Sequence, residues 1–169
     1  RQQGYALLFE NGWGDGSAVA QPGFICVAKR DPNNESAPKA AILAVRGTAS
    51  VHDVATDVRA FPAPFPPPPQ HDPADPECAW TAVSGTFAFA GMARAAQWLY
   101  DETAPALFAL AAAGTDIILT GHSLGAGVAS LLTVMLRNGL DERGLQNARV
   151  KCYGFATPAC VDRALAEQA

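Results

Sequence analysis

Asp116-Ile117-Ile118-Leu119-Thr120-Gly121-His122-Ser123-Leu124-Gly125-Ala126-Gly127 is the stretch that decides how this chain folds. Its first five residues place three large apolar side chains in a row, which suits a central strand of a parallel sheet, buried on both faces. Gly121 to Gly125 then forms a G-x-S-x-G pentapeptide. That pattern makes a sharp strand-to-helix turn and lifts a serine oxygen above the end of the sheet. Leu124 to Arg137 reads as the helix that follows, with Asn138-Gly139 as its C-terminal stop. A side chain at Gly121 or Gly125 is expected to strike the neighbouring strand or helix, and Gly127 is expected to let the helix approach the sheet.

Downstream of this unit, Arg149 to Phe155 reads as a further strand and Asp162 to Gln168 as the beginning of another helix. Upstream, Met92, Ala95, Ala96 and Leu99 fall on one face of a helix over Gly91 to Tyr100. Pro105 to Ala113 continues it after a kink at the proline, and Gly114-Thr115 stops it. Gly23 to Lys29 and Ala40 to Val45 read as two strands of a hairpin, joined by a long loop around the turn residues Asp31-Pro32-Asn33-Asn34. Val51 to Val58 reads as a short helix capped by Ser50, with Asp53 at its third position.

Phe61 to Asp75 is proline-rich and reads as an inserted surface loop or polyproline II. A proline-motif ligand for another domain, and a lipid contact through Phe61 and Phe65, are the alternatives. Residues 1–22 show little periodicity and are expected to be mostly irregular. Strands alternating with helices imply an α/β fold with a largely parallel sheet, flanking helices and right-handed crossovers, in one domain over residues 1–169.

Bulk properties exclude some classes. Twelve basic against sixteen acidic residues leave a net charge of −4, the wrong sign for a nucleic-acid surface. No apolar run reaches the roughly 18 residues of a membrane span, and Ala104 to Ala113 reads as a buried helix. Arg1 to Glu10 lacks the apolar core of a signal peptide. Cys26, Cys78, Cys152 and Cys160 show neither metal spacing nor C-x-x-C. They are expected to be mostly reduced thiols in an intracellular protein, with one disulfide as the alternative.

The pentapeptide carries the chemistry. A serine hydroxyl needs a base to activate it and donors for the oxyanion that forms at the attacked carbonyl. The amide of Leu124, directly after Ser123 at a helix N-terminus, is a natural donor with the helix dipole behind it. Arg46-Gly47-Thr48 at the end of the Ala40–Val45 strand can supply a second, although an ordinary turn with a capping threonine fits the same residues.

Four ordered blocks carry a family resemblance. Val45-Arg46-Gly47-Thr48-Ala49-Ser50 with Asp53 and Thr56-Asp57 is similar to a strand-plus-lid signature R-G-T-x-S-x-x-D-x-x-T-D. Gly91-Met92 with Ala95-Ala96 resembles a G-M/I-x-x-A-A helix. Gly121 to Gly127 matches G-H-S-L-G-A-G without change, and Val150 to Tyr153 with Ala156-Thr157-Pro158 resembles K-C-F/Y-A-F/Y-S-P-P. These are signatures of the class 3, or fungal-type, lipases, and most closely of the sn-1-specific diacylglycerol lipases. The resemblance runs over roughly residues 24–165.

It implies an α/β-hydrolase fold and Ser123 as nucleophile in an elbow of Gly121, His122 and Gly125. It also implies Thr48 and Leu124 as the oxyanion hole, and a lid near Val51–Asp57. The implied reaction is hydrolysis of acyl esters in a glycerolipid, diacylglycerol or triacylglycerol, at a lipid–water interface. It needs no metal or organic cofactor and is compatible with peripheral membrane contact; protein partners are not indicated. Phe89 stands where close relatives carry a histidine.

The base and the acid are the open part. In hydrolases with this elbow the triad follows in the chain order serine, acid, histidine, and no histidine follows Ser123. Asp162 is a weak candidate for the acid and reads better as a helix N-cap. His52 fits a lid or solvated residue, His71 lies in the proline-rich stretch, and His122 reads as a packing residue with a local hydrogen bond. The expectation is therefore a C-terminally incomplete α/β-hydrolase. Its acid and histidine lie beyond residue 169, and these residues alone are inactive. The alternative is a non-catalytic, lipase-like module that binds lipid or protein.

Overall fold

The computed structural model describes residues 4–11, 21–30, 38–47, 62–65 and 86–167. A five-stranded sheet runs in the order β1-β2-β3-β6-β7. Its strands are β1 (Tyr5–Asn11), β2 (Phe24–Lys29), β3 (Ala40–Val45), β6 (Asp116–His122) and β7 (Val150–Phe155). β2 and β3 form the expected antiparallel hairpin, Phe24 opposite Val45 and Lys29 opposite Ala40. β3, β6 and β7 are parallel, so Val45, Gly121 and Gly154 stand level across the sheet.

Alternation along the strands sends Phe24, Cys26, Leu43, Val45, Ile117 and Leu119 to one buried face. Helix α1 (Ala90–Ala112) and helix α2 (Leu124–Glu142) contribute the other side of that core. Trp98 of α1 meets Phe24 edge-on with ring centroids 6.0 Å apart. Cys26, Cys152 and Cys160 are free thiols. Burial pushes the Cys26 thiol up to about 11 and raises that of Cys160 as well.

Four elements differ from the sequence reading. Residues 5–11 form strand β1, paired antiparallel with β2, where irregular chain was expected. The register slips between Leu7 and Phe9, and this bulge breaks the period of two that would have marked a strand. The proline-rich stretch begins not as a loop but as strand β4 (Pro62–Pro64), paired with β5 (Phe87–Phe89). The Phe65 N–H donates to the Thr86 carbonyl at 3.0 Å. That alternation leaves Pro62 and Pro64 where no ladder N–H is needed. Phe65, read as a lipid-contact alternative, is 1% exposed and belongs to the core. The Asp31–Asn34 turn, the Val51–Val58 helix with its Ser50 cap, Phe61 and residues 66–75 lie outside the described residues.

α1 runs through Pro105 as one helix. Both Pro105 and Asp101, whose carbonyl has lost its i+4 donor, are exposed, so the missing bond falls on the solvent side of the helix. α2 does not stop at Asn138-Gly139 but continues to Glu142, with Gly144 at φ +71° beyond it. Gly139 is a packing glycine. A Cβ there would stand 2.5 Å from the Tyr100 hydroxyl and 2.7 Å from the tip of Phe108, whose rings meet edge-on. Gly139→Ala is therefore expected to destabilise the fold by about 1 kcal/mol. Helix propensity alone gives a gain of about 1 kcal/mol, so the sign measured by denaturant unfolding separates the two roles.

Candidate active site

The strand–turn–helix unit places Ser123 between the end of β6 and the start of α2. Its backbone lies at φ 54°, ψ −124°, a left-handed conformation that costs a non-glycine residue about 1–3 kcal/mol. Hydrogen bonds on both sides hold it there. The Ser123 N–H donates to the Phe155 carbonyl at 2.9 Å, and the Ser123 carbonyl accepts from Ala126 N–H at 2.9 Å and Gly127 N–H at 3.2 Å. The hydroxyl makes no capping bond to the helix. Among the described residues the Leu124 N–H, at the first position of α2, meets no acceptor. It stands as a free donor one residue from the serine, at the positive end of the helix dipole.

The glycines act as read, with one exception. A Cβ on Gly121 would overlap the backbone of Gly125 and Ala126. A Cβ on Gly125 would stand 2.5 Å from the Val45 oxygen and 2.8 Å from the Gly47 nitrogen. Gly47 in turn lies so close to the elbow that a Cβ would stand 2.6 Å from the His122 oxygen. The end of β3 is thereby locked against the serine turn. Gly127 is the exception. It faces Met92 of α1 and the Pro158–Cys160 segment rather than the sheet, so it serves helix–helix packing.

Thr48, the residue after Gly47, lies outside the described residues, as do His52 and His71. His122 is exposed, and no described residue bonds its ring. It is not the packed, locally bonded residue its position suggested. It pairs with Phe155 where the two strands end, on the face turned away from the helices. Asp162 caps helix α3 (Arg163–Ala166): one carboxylate oxygen accepts from the Leu165 N–H at 2.8 Å. The other oxygen accepts from the Phe87 N–H at 2.8 Å.

Sequence reasoning missed the part played by the end of β7. Phe155 supplies the acceptor for the Ser123 amide, and Ala156, directly after it, is left-handed at φ 51°. Alanine gives no signal for such a turn, which usually recruits glycine or asparagine. Gly154 and Pro158 on either side were the only hint in the sequence.

The fold is similar to that of the Rhizomucor miehei triacylglyceride lipase, with a TM-score of 0.71 and 18% identity over 99% of this chain and 54% of that one. It is also similar to the mono- and diacylglycerol lipase from Aspergillus oryzae, with a TM-score of 0.68 and 23% identity over 98% of this chain and 51% of that one. In sequence the chain is 30% identical over 122 residues to diacylglycerol lipase-beta of Mus musculus, which covers 69% of this chain and 15% of that protein. It thus spans about half the length of these fungal lipases and a smaller part of the mouse protein. The family model for lipase (class 3) matches residues 42–169, from the middle of β3 through the elbow and β7. By that match the chain belongs to the class 3 lipases.

Proposed function

We propose that this chain carries the nucleophile half of a lipase that hydrolyses acyl esters of glycerolipids, diacylglycerol foremost. One observation supports the reading most directly: Ser123 is held left-handed above β6, with the Leu124 N–H free beside it. Strain of this kind persists only where the surroundings enforce it, and binding alone has no use for it.

In the proposed reaction the Ser123 oxygen attacks the ester carbonyl while its proton passes to a base. The Leu124 N–H, and with it Thr48, donates to the oxyanion. The bond to the glyceride oxygen then breaks, the base returns the proton to the leaving alcohol, and water releases the fatty acid from Ser123. We place the acid and the histidine in polypeptide beyond residue 169. The carboxylate of Asp162 is already engaged by two backbone donors, which leaves it poorly suited to hold a histidine.

The test uses the native full-length protein and a fluorophosphonate probe. The adduct is expected on the peptide that contains Ser123, with hydrolysis of diacylglycerol in mixed micelles faster than that of triacylglycerol. A folded full-length protein that takes no label would overturn the reading in favour of a non-catalytic binding module. Labelling of residues 1–169 alone would place the base within them.

A further inference from the structure

Two described residues other than glycine adopt a positive φ, Ser123 at 54° and Ala156 at 51°. They stand side by side. His122 and Phe155 are register partners at the ends of the parallel strands β6 and β7, and each strained residue directly follows one of them. The Ser123 N–H to Phe155 carbonyl bond joins the two turns. The turn after β7 is also closed on itself. Gly154 lies against the Thr157 side chain so tightly that a Cβ would overlap the Thr157 hydroxyl, and the same Cβ would stand 3.3 Å from Ala126 in the first turn of α2. A little further on, Pro158 and Cys160 pack against Gly127 of α2, within 3.5 Å of where its Cβ would be.

The 154–160 segment therefore touches the serine turn at its amide and the head of α2 at Ala126 and Gly127. We propose that Gly154, Ala156 and Thr157 form a positioning brace for the nucleophile. The left-handed turn at Ala156, kept shut by Thr157 over Gly154, aims the Phe155 carbonyl at the Ser123 amide and fixes where the serine oxygen sits. These residues act through Ser123 and touch no substrate. Opening the turn shifts Ser123, and displacements near 1 Å cost about 100-fold in rate.

The inference rests on Ser123 being the nucleophile, and its test is separable from the test of that reading. In the full-length enzyme, Gly154→Ala is expected to slow fluorophosphonate labelling of Ser123 and to lower kcat in parallel, by about 10- to 100-fold, with KM held within about twofold. Adding Thr157→Ala removes the atom that the new Cβ strikes and leaves the new methyl group to fill its place and keep the turn shut, so the double variant is expected to restore most of both rates. A merely structural role would lower the melting temperature without that paired loss and rescue. If Gly154→Ala does not accumulate folded, Ala156→Val, which opposes the left-handed φ, is measured against the same expectation. Wild-type labelling in a folded variant, or a double variant as slow as Gly154→Ala alone, would overturn the brace. Absence of label in the wild-type enzyme would instead overturn the assignment of Ser123.

Discussion

Ser123→Ala in the full-length protein is expected to abolish fluorophosphonate labelling and to cut ester hydrolysis by about 10³-fold or more, because the attacking oxygen is gone. The fold should survive the change. Ser123 contributes to the elbow through its backbone bonds to Phe155, Ala126 and Gly127, and alanine keeps all of them. What alanine does not relieve is the φ of 54°. Ser123→Gly is therefore expected to be as inactive as Ser123→Ala yet about 1 kcal/mol more stable, since glycine meets no Cβ penalty there. Unfolding curves of the two variants check the strain independently of catalysis. Equal stabilities would mean that the elbow stores none, and residual hydrolysis near the wild-type rate in Ser123→Ala would move the nucleophile elsewhere.

Gly125→Ala is expected to be severely damaging for the addition of one methyl group. The atoms it would meet are the Val45 oxygen, the Arg46 carbonyl carbon and the Gly47 nitrogen. All are backbone at the end of β3, and none can swing aside as the tip of a side chain can. The head of α2 must move away from β3 instead, which loosens the core around Leu43, Val45 and Leu124. A destabilisation of about 3 kcal/mol follows, or a fall in Tm of about 6–12 °C for a domain of this size. The same displacement carries the Leu124 amide away from the oxyanion position, so labelling is expected to slow by about 100-fold even well below the new Tm. A variant that melts early but labels normally would show that the Leu124 amide is not a donor in the reaction.

Much of this architecture was legible because it is local. β2, β3, β6 and β7 announce themselves as short apolar runs bounded by polar or turn residues. The elbow is a contiguous string whose glycines, serine and following helix need no distant partner to be recognised. Asp162 was readable as a cap because a capping carboxylate bonds residues close along the chain, as its bond to the Leu165 N–H shows. β1 was not legible, because a slipped register hides its alternation. Nor was the Pro62–Pro64 strand, because prolines signal a loop unless their partner β5 is known to leave those positions unbonded.

The parallel strand–elbow–helix unit, the nucleophile candidate within it and the family could therefore be read along the chain. The first two depend on one contiguous stretch, and the family on four ordered blocks that are each local. How that unit is held emerges only once the chain is folded. β3 locks against it through Gly47 and Gly125. Gly127 and Gly139 serve the packing of α2 against α1 rather than a sheet contact or a helix stop. The carbonyl that holds the Ser123 amide comes from a strand more than thirty positions away, ended by a left-handed alanine. A methyl-sized gap or a single aimed carbonyl leaves no periodicity in the chain, because it exists only once two distant segments have been brought into van der Waals contact.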